Sequence, residues 1–192
     1  MEKNRKLQVE IVQETSWIRA LNAARRTIGK EEINKEPSNS WKARMLLAEH
    51  SPIKLVEYCI KFKNLRQWVG VHLLRHGFTL PFIHSQREDR RDLGCPRDEL
   101  PQGTLNDQDF VVNAQTLINI SRKRLCRCAS KETREAWEAV KEEMWKVDPI
   151  MASKMVPNCV YSGFCRELNC CGYCNTEKFK KEIEEYRKTD IP

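Results

Sequence analysis

Nowhere among the 192 residues does an apolar run approach the ~20 residues that a bilayer-spanning helix needs. The longest, 68–74 and 78–83, are short, and His72, Arg75 and His76 interrupt the stretch they make. A membrane span is excluded. Seven glycines and eight prolines are too few for a collagen-like or low-complexity chain. The charged N-terminus, Met1-Glu2-Lys3-Asn4-Arg5-Lys6, leads into no apolar segment. No secretory signal is therefore expected, and a reducing cytoplasm is the expected compartment. Nine cysteines are then read as thiols or metal ligands before disulfides, and an odd count leaves one unpaired in any case. No Gly-rich phosphate loop of the dinucleotide or Walker type is present, so any nucleotide must be gripped another way.

What is present suits one folded domain over 1–192, with 40% hydrophobic and 32% charged residues. A net charge of +7 allows phosphorylated small molecules, nucleic acid or a plain solvated surface. Alternation over 7–12 predicts a strand, followed by a helix from Trp17 to Ile28 and a loop over 30–40. Ser38 or Ser40 caps a second helix through Glu49, stopped by His50-Ser51-Pro52. A strand is expected over 56–62, a buried helix over 65–76 that Gly77 ends, and an extended run over 78–85 that Pro81 confines to an edge. Residues 88–106 read as a long surface loop. From Asp107 a helix is expected to Cys128, then one from Ser130 or Thr133 through Trp145, a cysteine-rich segment over 157–175, and a last helix over 176–188. The order is that of an α+β domain, a mixed or antiparallel sheet flanked by helices.

Two groups combine basic residues with hydrogen-bonding side chains in apolar settings: His72, Arg75, His76, Ser85, Gln86 and Arg87, and then Asn113, Gln115, Asn119, Arg122 and Arg124. Arginine suits phosphate because its planar fork donates two parallel hydrogen bonds and stays charged when partly desolvated. Several such arginines beside amides suit a phosphorylated heterocycle.

Order and spacing sharpen this. Arg75-His76-Gly77 with Ser85 in register resembles the Arg-His-Arg, seven residues, Ser signature of the flavin-dependent thymidylate synthases. Arg87 matches the arginine two residues beyond that serine, and Arg97-Asp98-Glu99-Leu100-Pro101 resembles the family's Arg-x-x-Leu-Pro element. Asn113-Ala114-Gln115-Thr116-Leu117-Ile118-Asn119 with Arg124 resembles its Asn-Ala-x-x-Leu-x-Asn helix. The resemblance runs from about residue 49 to 140. Gly77 stands where the signature has its second arginine, His72 replaces a glutamine, Leu80, Phe82 and Ile83 replace polar positions, and part of a connecting helical segment is missing.

The resemblance implies the family's fold and an FAD-dependent transfer of a one-carbon group from methylenetetrahydrofolate to a pyrimidine deoxynucleotide monophosphate, with NADPH as reductant. It places Ser51, Arg75, His76, Asn113 and Asn119 at FAD. His72, Ser85, Gln86, Arg87, Arg97 and Arg124 would line the nucleotide site, Arg87 and Arg97 at phosphate. Arg124 and Ser85 are the catalytic candidates. Arg124 would stabilise charge developing on the ring carbonyl, and Ser85, with no base adjacent in sequence, would bind phosphate or ring without attacking. Family members are homotetramers whose sites borrow residues from several subunits.

Outside this pattern, Cys159, Cys165, Cys171 and Cys174 have a spacing that allows a zinc site, against the alternative of plain thiols. Cys126 and Cys128 are expected on different faces of a helix as structural residues. The competing function is a nucleotide-binding module without turnover, or a zinc-stabilised basic module for nucleic acid. Aromatic positions do not interleave with the basic ones as in a stacking platform, which argues against nucleic acid.

Overall fold

Alternation in the first strand, β1 (Gln8–Gln13), turns Val9 and Ile11 one way and Gln8 and Glu10 the other. In this computed structural model, which describes residues 5–77 and 79–190, that pattern sets one face of a four-stranded sheet. The start of the charged N-terminus and Phe78 lie outside the described residues. β2 (Glu57–Arg66) is central, flanked by β1 and by β4 (Leu105–Asn113), and β3 (Thr79–Ile83) forms the far edge. All three pairings are antiparallel.

Register carries the burial pattern across the sheet. Val9 faces Phe62, Ile11 faces Ile60, and these continue to Gln108 and Phe110 on β4. The opposite face carries the charged row Glu10, Lys61 and Asp109. β2 bulges between Phe62 and Leu65, where Asn64 adopts φ 61°. Asparagine tolerates that left-handed conformation, and its N–H donates to Asp107 Oδ1 at 3.0 Å.

Helices cover the inner face. α1 (Trp17–Thr27) and α2 (Asn39–Leu47) begin at the serine caps Ser16 and Ser38, each accepting a backbone N–H of its first turn. α3 (Gln67–Leu74) follows β2 directly, α4 (Ala114–Arg124) follows β4, and α5 (Lys131–Val147) packs across β1. α6 (Pro149–Lys154), α7 (Asn158–Ser162) and α8 (Glu177–Arg187) close the domain. Trp17, Leu46, Ile60, Leu117, Trp137 and Met151 are fully buried, each contributing about 1.5–3 kcal/mol. Asp148 links the layers: its carboxylate accepts from Trp17 Nε1 at 2.6 Å, Tyr58 Oη at 2.8 Å and Met151 N at 2.9 Å.

Three expectations are corrected. Residues 107–113 are strand, not helix: β4 puts Asn106 and Gln108 on the buried side with Phe110 and Val112, so amides interrupt the apolar alternation. β2 runs on to Arg66, so α3 starts two residues later than the expected Leu65. α4 ends at Arg124, which leaves Cys126 and Cys128 in the turn beyond it rather than on a helix.

Candidate functional site

The C-terminal ends of α3 and α4 meet. Arg124, in the last turn of α4, donates from Nε to His76 Nε2 at 2.9 Å and from Nη2 to the His72 carbonyl at 2.7 Å. Two contacts on one guanidinium fix its plane and leave Nη1 without a hydrogen-bond partner among the described residues. Burial first, then the charges of Arg124 and Lys123, bring His76 down to about 4. The imidazole is therefore neutral at pH 7 and carries its proton on Nδ1, since Nε2 accepts. Burial and the neighbouring charges of Arg124 and Arg75 lower His72 as well. Its Nδ1 lies 3.0 Å from Thr133 Oγ1, and the Trp68 ring stands edge-on to it at 5.4 Å.

This arrangement is a cation set in a neutral frame. Arg75 caps the end of α3, exposed, and adds a second positive charge beside Arg124. Half-buried arginine with an unused donor edge receives an anion or a carbonyl oxygen on which charge builds.

The remaining sequence candidates lie elsewhere. Ser85, Gln86, Arg87 and Arg97 lie on the segment between β3 and β4. Ser85 Oγ accepts the Arg87 N–H at 3.2 Å, and the Arg87 fork is engaged with Asp89 at 2.9 and 2.7 Å. Arg97 opens a short 3-10 turn, with its N–H on Glu88 at 2.6 Å. Asn113 belongs to the other end of α4, and Asn119 stands exposed at its middle, its Oδ1 accepting from Gln115 and Arg122 at 3.4 Å. Asn113 is the N-cap, accepting the Thr116 N–H at 2.9 Å, and Ser51 is exposed at the start of the 3-10 turn Ser51–Leu55. Eleven residues separate the two ends of α4, about 16 Å at 1.5 Å per residue. A single chain thus brings His72, Arg75, His76 and Arg124 together. It does not bring Asn113 to them.

Several partners were not visible in sequence. Glu49, at φ 49°, pairs with Arg122 and accepts from Gln115 Nε2 at 2.6 Å, while Arg122 stacks over Tyr161 at 3.5 Å. Beneath β3, Gln67 Oε1 accepts from Asn106 and Gln108, and Asn106 also takes Arg91 and donates to the His84 carbonyl. That network ties the 84–104 segment to the sheet. Gln108 Oε1 is buried without a partner. Period-two alternation continued through the amides at 106 and 108 was the signal that would have found it.

Two clefts of about 500 Å³ lie away from Arg124. One, 510 Å³, runs between β2 and α5 past Arg66 and Glu132. The other, 500 Å³, is lined by six cysteines from the turn after α4, from α7 and from the segment before α8. All nine cysteines are free thiols, and no three His, Cys, Asp or Glu side chains among the described residues are grouped to hold a metal ion. Cys126 and Cys128 join this group, so the structure gathers them with the C-terminal cysteines instead of separating them.

No family model matches the chain, and no curated protein matches it in sequence. Solved structures do match it. A UMP/dUMP methylase, PolB from Streptomyces cacaoi bound with 5-Br dUMP, superposes with a TM-score of 0.61 at 15% identity, over 83% of this chain and 96% of that one. The same enzyme bound with 5-Br UMP gives a TM-score of 0.59 at 16% identity, over 79% and 94%. The likeness is one of fold. It confirms the α+β architecture and covers nearly the whole of those chains.

Proposed function

We propose that this chain binds a pyrimidine nucleoside monophosphate and transfers a one-carbon group to its ring, with FAD, NADPH and methylenetetrahydrofolate as cofactor, reductant and donor. The observation that carries the reading is Arg124, oriented by neutral His76 and the His72 carbonyl, within a fold shared with a UMP/dUMP methylase. Its open Nη1 suits the ring carbonyl, where a fixed cation acts on charge as it develops without reorganising. Ser85 and Gln86 would then hold ring or phosphate, with Arg87 and Arg97 at the phosphate, Arg87 exchanging Asp89 for it.

The residues present fit an anionic flavin nucleotide. Arg75 and Ser51 are exposed, Asn113 keeps its Nδ2 donors, and His76 keeps its Nδ1 proton. When bound, FAD supplies the hydride chemistry. The FAD candidates are themselves divided along α4, with Arg75 and His76 at its C-terminal end and Asn113 at its N-terminal end. That separation supports a homo-oligomer, a tetramer by the sequence resemblance, in which neighbouring copies complete each site.

The test is direct. The purified protein should take up FAD with a flavin absorption spectrum, and with reductant and methylenetetrahydrofolate it should release tritium from the 5-position of labelled dUMP or UMP. Nucleotide binding without release would leave a binding module that has lost turnover. Failure to bind either flavin or nucleotide would defeat the proposal.

A further inference from the structure

Cys170 and Cys174 bring their Sγ atoms to 3.4 Å across a turn in which Gly172 adopts φ 78°. The Gly172 N–H donates to Cys170 Sγ at 3.3 Å. A backbone N–H and a second thiol thus meet at one sulfur. Cys170 is exposed while Cys174 is half-buried behind it. Both open into the 500 Å³ cleft, whose lining carries five basic side chains, Arg166 and Lys178 among them, against three acidic ones.

Core packing does not account for this placement. Cysteines that serve as small hydrophobes are buried, whereas Cys170, Cys171 and Cys128 are exposed. The surroundings single out one sulfur: Cys170 Sγ is exposed, accepts the Gly172 N–H and lies against the Cys174 thiol. A thiolate with a second thiol at van der Waals distance is the geometry of disulfide formation.

We propose that Cys170 and Cys174 form an oxidisable dithiol that reduces an anionic low-molecular-weight disulfide. The Cys170 thiolate attacks one sulfur of the disulfide. That S–S bond breaks, a mixed disulfide forms on Cys170, and the departing thiolate takes up a proton. Cys174 then gives its proton to solvent and attacks Cys170 Sγ, expelling the second thiolate, which is protonated in turn. Two cysteine thiols and one disulfide become one protein disulfide and two small thiols. The cleft admits a peptide-sized molecule, and its basic excess favours one bearing carboxylates. This chemistry is independent of the nucleotide site.

Glutathione disulfide is the probe. The full chain, reduced and then freed of reductant, is treated with it and acid-quenched, and its peptides are mapped with fragmentation between Cys170 and Cys171. A Cys170–Cys174 disulfide with two glutathiones released per chain is expected. Cys174→Ser should stop at one glutathione on Cys170, and Cys170→Ser should react about tenfold more slowly. A Cys165–Cys170 pairing, a first adduct on another cysteine, or reaction blocked by tightly bound zinc would overturn the proposal. Arg166→Gln with Lys178→Gln should slow glutathione disulfide roughly threefold and leave neutral hydroxyethyl disulfide unaffected. Equal slowing of both would refute the preference for an anion.

Discussion

Arg124 donates its Nε proton to Nε2 of His76 at 2.9 Å, a bond that exists only while the imidazole is neutral. His76 lies at about 4 in the folded chain, below its ordinary 6.5. Between those values the unfolded chain binds the extra proton and the folded chain does not, so the stabilisation is complete above pH 6.5 and is lost as pH falls toward 4.

Thermal unfolding across pH 4–7 tests this. Wild type should lose about 2 kcal/mol more than His76→Gln over that interval, a figure reduced from the full linkage because His76 is only half-buried. Parallel curves for the two proteins would remove His76 as the titrating group.

Arg124→Lys keeps the charge but not the fork, so it cannot reach His76, the His72 carbonyl and a ligand at once. Calorimetric titration with dUMP should show about tenfold weaker binding, whereas Arg134→Lys, on α5, should change little. Equal affinities for wild type and Arg124→Lys would put the nucleotide elsewhere.

Gly70, on α3, faces the buried side chain of Gln108, and a methyl at 70 would overlap its amide. Gly70→Ala should therefore cost roughly 2 kcal/mol or more by urea denaturation. Adding Gln108→Ala removes both the overlap and the unpartnered Oε1, and should restore much of the loss. Additive costs in the double variant would show that the two side chains do not compete for the space.

Asp148→Ala withdraws one carboxylate from Trp17, Tyr58 and the Met151 N–H together. Three buried donors lose their acceptor, for an expected cost of about 3–5 kcal/mol. Tyr58→Phe removes only one of them and should cost about 1 kcal/mol. Chemical denaturation of both variants checks the ratio.

Where local chemistry decided structure, the sequence was legible. Ser38 caps a helix, and Pro81 lies on an edge strand because it has no N–H to give a ladder. β4 was misread because its inward positions hold Asn106 and Gln108, whose burial is tolerated only through partners on Gln67, His84 and Arg91. The apolar run from Phe110 to Ile118 fits a strand as well as a helix, and Asn113 caps the helix in its middle. In the site, Arg124 and His76, both expected there from the sequence, stand 48 positions apart and do touch. Thr133 and Glu49 carry no such signal in the sequence, since their roles arise only when α5 and the turn before β2 arrive beside α3 and α4. Asn113 caps the far end of α4 from Arg124, a separation that appears only once the helix is seen to begin there.

Pro81 has a consequence beyond its own strand. β3 exposes Leu80 and Phe82, both more than 60% accessible, at the open margin of the sheet. An apolar strand with a free row of donors and acceptors is a template on which identical chains add in register. Proline midway along a five-residue strand breaks the donor row and so disfavours such addition. Leu80 and Phe82 thus stand on a margin whose row of backbone donors Pro81 interrupts.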